Sequence, residues 1–115
     1  MTETFIYHLA RQAEWDAASK VGVYRGSADD TADGFLHFST AAQIVESAAR
    51  HRAGERGLLL LRARTAELGE ALRWEPSRGG ALFPHLYGAL PVAAVVSVDP
   101  LPVGEDGRHV FPDLT

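Results

Sequence analysis

The sequence predicts one compact α+β domain with two short helices in its N-terminal half and a mixed or largely antiparallel β-core. Three observations predict it. Short runs rich in β-branched and aromatic residues recur between Gly and Pro punctuation, which is strand patterning. Apolar spacing of helical period occurs twice, and both times before residue 55. No glycine-rich loop of the dinucleotide or P-loop kind joins a strand to a helix, so a doubly wound fold is excluded.

Phe5-Ile6-Tyr7-His8-Leu9 reads as the first strand, with Ile6 and His8 on one face and Phe5, Tyr7 and Leu9 on the other. Gln12 to Lys20 reads as a short helix ended near Gly22, with a stripe through Ala13, Ala17 and Val21 and Trp15 beside it. Ser27 to Asp33 is expected to be a polar loop closed by Gly34. Phe35 to Phe38 forms a second strand, after which Ser39 or Thr40 caps a helix. Ala41, Ile44, Val45, Ala48 and Ala49 give that helix its inward face, leaving Glu46 and Arg50 in water, and Gly54 marks its end. Leu58 to Leu61 is a strand buried on both faces. Thr65 to Leu68 is one helical turn, Ala71 to Glu75 a strand stopped by Pro76, and Arg78-Gly79-Gly80 a turn. Leu82 to Tyr87 is extended and Val92 to Val98 is another buried strand. Residues 102–115 form a loop-rich surface tail.

Composition narrows the function classes. The chain has 115 residues, room for one domain. At 46% hydrophobic and 23% charged it can bury a core without a metal or a disulfide. It has no cysteine, which removes thiol catalysis and fits a reducing cytoplasm. No signal-peptide pattern opens it, and no apolar run is long enough to cross a bilayer. A net charge of −4 argues against extended nucleic-acid binding but leaves room for a local phosphate pocket, to which Arg11, Arg25, Arg62, Arg64, Arg73 or Arg78 could contribute. The sequence does not specify an oligomeric state.

Chemistry-bearing residues gather at a few places. His8 lies on the first strand, where a lone histidine is more often a satisfied structural residue than a catalyst. Phe35, His37 and Ser39 share a strand face next to a helix start, whose free N–H groups suit an anion. In Phe83-Pro84-His85-Leu86-Tyr87-Gly88, alternation puts His85 and Tyr87 on one side, and Gly88 would let a ligand or backbone approach closely. That His–aromatic pair suits a flat ring, or else Tyr87 simply packs in the core. Arg73 and Glu75 share a face of their strand. His51 and His109 read as solvated. His8, His37 and His85 lack metal-motif spacing, so no metal site is assigned. No G-x-S-x-G elbow supports a serine hydrolase.

Four ordered segments carry a resemblance: Ile6-Tyr7-His8-Leu9-Ala10, Gly34 to Thr40, Arg73-Trp74-Glu75 and Phe83 to Gly88. Over about residues 5–101 the chain resembles the bacterial domain-of-unknown-function family 952. That family is in turn similar to the ADP-ribosyltransferase superfamily. The resemblance implies a split, largely antiparallel β-core holding NAD in a cleft. It implies that His8 occupies the first-strand position that hydrogen-bonds an NAD ribose, and that Ser39 and Thr40 end the matching later strand. The late acidic residue of the superfamily has no aligned counterpart here; Glu75 and Tyr87 are the candidates.

Two classes of function fit these residues. In an enzyme acting on NAD or a related nucleotide, Glu75 would stabilise positive charge on the sugar and His8 would fix a ribose hydroxyl. Tyr87 would stack on the nicotinamide, and His37 with Ser39 would hold pyrophosphate or ribose, with Thr40, Arg73 and His85 as further ligand contacts. A non-catalytic domain would use the same pocket to hold a small ligand or a protein partner. Only the enzyme requires a carboxylate inside the cleft.

Overall fold

The computed structural model of the chain describes residues 4–114. Eight strands and three α-helices follow in the order β1 (Phe5–Arg11), α1 (Gln12–Val21), β2 (Val23–Tyr24), α2 (Ala28–Asp33), β3 (Leu36–His37), α3 (Ala41–His51), β4 (Leu58–Arg64), β5 (Leu72–Pro76), β6 (Leu82–Leu86), β7 (Leu90–Pro91) and β8 (Val95–Leu101). The result is an α+β domain in which every ladder is antiparallel.

Two three-stranded sheets organise it, in the orders β1-β4-β8 and β3-β6-β5, and a β2-β7 ribbon completes the set. The two sheets meet at one point. Tyr7 of β1 and Ser39, just after β3, exchange both backbone hydrogen bonds at 2.8 Å. From there the strands part, with His8 on one side of the split and His37 on the other.

The central strand β4 explains the core. Its continuous apolar run is buried on both faces, because helices and loops cover the sheet from either side. Leu59 and Leu61 join Ile6, Ala10, Trp15, Tyr24 and Leu36 in one cluster. Leu58 and Leu60 join Tyr7, Ile44 and Leu101 in the other. The alternation expected for Ile6 against Tyr7 is thus the division between two hydrophobic clusters.

Several expectations are corrected. Residues 28–33 form a helix rather than a loop. The segment has no apolar stripe, but Ser27 and Asp30 form a capping box and Gly34 takes the left-handed C-cap conformation. Helix α1 buries Trp15 and Ala18, while Val21 is exposed. Helix α3 buries Ile44, Ser47 and Ala48, whereas Val45 and Ala49 face solvent. It ends at His51, capped by Arg52, before Gly54 is reached. Residues 92–94 form a 3-10 turn, and β8 is a half-exposed edge strand rather than a buried one. The tail is irregular, as expected, yet Phe111 and Leu114 pack against the second core cluster. His109, expected to be solvated, donates from Nε2 to the Glu55 carbonyl oxygen at 2.7 Å. Among the described residues no helix is long and apolar enough to cross a membrane.

Candidate functional site

Where the two sheets part, a cleft of about 380 Å³ opens, and His8, His37 and His85 all line it. They come from three different strands, β1, β3 and β6. The ladder pairs His37 directly with His85, and their rings stand edge to face with centroids 5.9 Å apart. Ser39, Ser47, Asp29, Asp33 and Arg52 also line the cleft.

His8 is almost wholly buried, at 3% exposure. Its Nδ1–H donates to the His37 carbonyl oxygen at 2.6 Å, which leaves Nε2 to accept the Tyr24 hydroxyl at 2.8 Å. Burial holds its pKa below the usual histidine value, against the attraction of Asp30, so the ring is neutral. Both of its nitrogens are taken up within the protein. Burial and the nearby Asp30 charge raise the Tyr24 phenol, which therefore stays protonated and donates.

Asp30, buried at 4% exposure, is the hub of the α2 wall. One oxygen accepts the backbone N–H and the hydroxyl of Ser27, at 2.8 and 3.0 Å. The other accepts the His37 backbone N–H at 3.0 Å and its Nδ1–H at 2.7 Å. Burial alone would raise this carboxyl. The bonds from His37 and Ser27 outweigh it and hold Asp30 well below the ordinary carboxylate range. His37 is correspondingly raised, first by its bond to Asp30, against partial burial, and then by Asp33, 2.9 Å from Nε2. Clamped between two carboxylates, His37 is the imidazolium of the site.

The third histidine is held from behind. Its Nδ1–H donates to Glu75 Oε1 at 2.8 Å, and the Tyr87 hydroxyl donates to the same oxygen at 2.7 Å. The Phe35 ring packs 4.1 Å from the His85 ring centroid. The Arg73 guanidinium lies 5.1 Å from the centre of the Tyr87 ring. Hydrogen bonding to Tyr87 and then to His85 lowers the Glu75 carboxyl, and the bond to Glu75 raises the Tyr87 phenol.

The residues anticipated from sequence therefore divide. His8, His37, His85 and Ser39 share the cleft. Thr40 caps α3 in a capping box with Gln43. Arg73, Glu75 and Tyr87 cluster together but do not line the cleft; Glu75 and Tyr87 meet it through His85. Gly88 has open space where a Cβ would stand, so no other part of the protein approaches it closely, and its φ of 155° is what favours glycine there. Among the described residues, none of the arginines expected at a phosphate lines the cleft; the side chain of Arg78 lies outside them. Arg52, which the sequence does not single out, does line it, 3.6 Å from Glu55 and 4.0 Å from Asp29. Asp30 was also missed, although the Ser27-x-x-Asp30 spacing was a usable signal. No cluster of described His, Asp or Glu residues is arranged to hold a metal ion.

The comparisons match this architecture. The family model described as "Protein of unknown function (DUF952)" matches residues 9–98. The chain belongs to that family. A crystal structure of the DUF952 chain's relative CC0527, from Caulobacter crescentus, is 47% identical, with 93% of this chain and 94% of that chain covered at a TM-score of 0.89. The solution NMR structure of CC0527 is 47% identical, with 90% of each chain covered at a TM-score of 0.81. No curated protein matches the chain.

Proposed function

We propose that the cleft between the two sheets binds a nucleotide-like small molecule, NAD in the first instance, and that the chain is an ADP-ribosyltransferase-like enzyme acting on it. The observation that carries this reading is the convergence of three imidazoles from three strands on one cleft. Its volume of about 380 Å³ falls in the range of small-molecule sites. The lining suits a dipolar ligand. Arg52 offers positive charge to a phosphate, and Asp29 and Asp33 offer negative charge to a cationic ring or sugar. Breaking a nicotinamide–ribose bond builds positive charge on the sugar, and a carboxylate aimed at it lowers the barrier. Asp33 is better sited for that task than Glu75, which lies outside the lining. A ribose hydroxyl would be held by Ser39, since both nitrogens of His8 are already bonded.

A second reading is a binding module without turnover. The engagement of Asp33 and Asp30 by His37 favours it, because a carboxylate tied to an imidazolium is less available to a sugar. Thermal shift against NAD, nucleotides and sugar phosphates, with nicotinamide release measured in parallel, separates the two. NAD at about a hundred times its dissociation constant should add ~2.7 kcal/mol of stability. Stabilisation with nicotinamide release supports the enzyme, and stabilisation without release supports the module. No stabilisation by any of these compounds refutes the ligand class.

A further inference from the structure

Glu75 and His85 sit on adjacent antiparallel strands. The register pairs Arg73 with His85 and Glu75 with Phe83, so Glu75 and His85 are diagonal neighbours on one face of the β3-β6-β5 sheet. The Glu75 carboxylate does not reach the cleft; His85 does. We propose that His85 is the proton-accepting residue of the cleft and that Glu75 is the positioning residue that orients it, an assignment that rests on the ligand-binding reading above.

The geometry decides which nitrogen acts. With Nδ1–H donated to Glu75 at 2.8 Å, the lone pair of the neutral ring is on Nε2. That nitrogen has no hydrogen-bond partner among the described residues. Three contacts keep the pair in register. The Tyr87 hydroxyl holds the same carboxylate oxygen at 2.7 Å, so Oε1 is fixed from two directions. Phe35 covers the imidazole at 4.1 Å. Arg73, over Tyr87, lies on the same strand face as Glu75.

The charged groups around the ring work in one direction or the other. Glu75 stabilises the imidazolium that forms when Nε2 takes a proton. His37, with its centroid 5.9 Å away, would oppose it, but its charge is already matched by Asp30 and Asp33. A nucleophile arranged this way is activated by a base that is itself oriented by a third group. In a transfer from NAD, an acceptor hydroxyl gives its proton to Nε2 while its oxygen bonds to the anomeric carbon. The carbon–nitrogen bond to nicotinamide breaks, its electron pair neutralises the departing ring, and His85 returns the proton to water.

The experiment is NMR of the 15N-labelled full chain. The two ring nitrogens of His85 are followed in wild type and in Glu75→Gln, with and without NAD. The proposal expects the Nδ1–H tautomer in the neutral wild-type ring. It expects Glu75→Gln to weaken the preference for the Nδ1–H tautomer, because a neutral amide oxygen holds Nδ1–H less strongly than a carboxylate does. It expects NAD to move the Nε2 resonance. A wild-type Nε2–H tautomer, or an unchanged tautomer preference in Glu75→Gln, would overturn it. The tautomer is read in the native chain, so the test does not depend on the variant folding. If the tautomer is as expected but NAD moves no cleft resonance, the oriented base stands and NAD is rejected as its ligand.

Discussion

The Nδ1–H of His8 is bonded to the carbonyl oxygen of His37 at 2.6 Å, across the place where the two sheets separate. Tyr7, beside His8, is paired with Ser39 through two backbone bonds. The Tyr24 hydroxyl completes the arrangement from the β2-β7 ribbon. One buried imidazole thus connects all three β-units and sets the backbone of the residue that faces the cleft. This makes His8 a structural residue of the site.

His8→Ala should therefore lower stability, not only ligand affinity. It removes the bond to His37, leaves the Tyr24 hydroxyl without its acceptor and opens a cavity. The expected loss in a denaturant melt is about 2–4 kcal/mol. A loss below about 0.5 kcal/mol, the scale of an ordinary surface change, would contradict this role.

Helix α3 supplies a paired test of which face is buried. Ile44 is 1% exposed and Val45 51%. Ile44→Ala should cost about 2–5 kcal/mol and Val45→Ala less than about 0.5 kcal/mol, read from chemical denaturation.

Gly26 has a φ of 84°, and a Cβ there would press on Leu36 and fall 2.6 Å from Asp30 Oδ2. Gly26→Ala should cost at least the roughly 1–3 kcal/mol of a non-glycine residue held in that conformation. It should also displace Asp30, so the His37 ring resonances should move in the same variant.

The pH dependence follows from the shifts at His37, Asp30 and His8. His37 is raised in the folded chain, so its contribution is complete below its ordinary value of 6.5 and is lost as pH rises through the raised value. Asp30 is lowered, so its contribution is present above 3.8 and is lost as pH falls through the lowered value. His8 is lowered too; its contribution is present above 6.5 and disappears as pH falls through its folded value. Acidification below neutrality should destabilise the chain through His8 first and Asp30 later. In Asp30→Asn the His37 titration should move down, and melts at neutral pH should show a loss of about 2–4 kcal/mol. That is somewhat less than for a wholly buried pair, because the His37 side chain is 43% exposed. An unchanged His37 titration in Asp30→Asn would contradict the clamp.

Local patterning was readable and register was not. Alternation correctly put His85 with Tyr87, and Arg73 with Glu75. That the two pairs face one another depends on the ladder between β5 and β6, a non-local fact with no signature in either segment. The α3 face reads wider in sequence than it is, because five small or apolar residues fit helical spacing. An eleven-residue helix crossing the sheet buries only a narrow strip, and that strip includes Ser47, which polarity alone would place outside. Val92 to Val98 reads as buried because it is apolar, but β8 lies at a sheet edge. Arg52 carries no signal of its own in the sequence: only the packing of α3 against β1 brings it to the cleft.

The central claim, that the cleft between the sheets holds a nucleotide-like ligand, is tested most directly by titrating NAD into the 15N-labelled chain and following its backbone amides. Saturable shifts are expected at His37, Ser39, Ser47, Arg52 and His85, with β8 unaffected, and weakening of those shifts in Arg52→Ala. Amides that stay still at millimolar NAD, or shifts confined to residues away from the cleft, would contradict it.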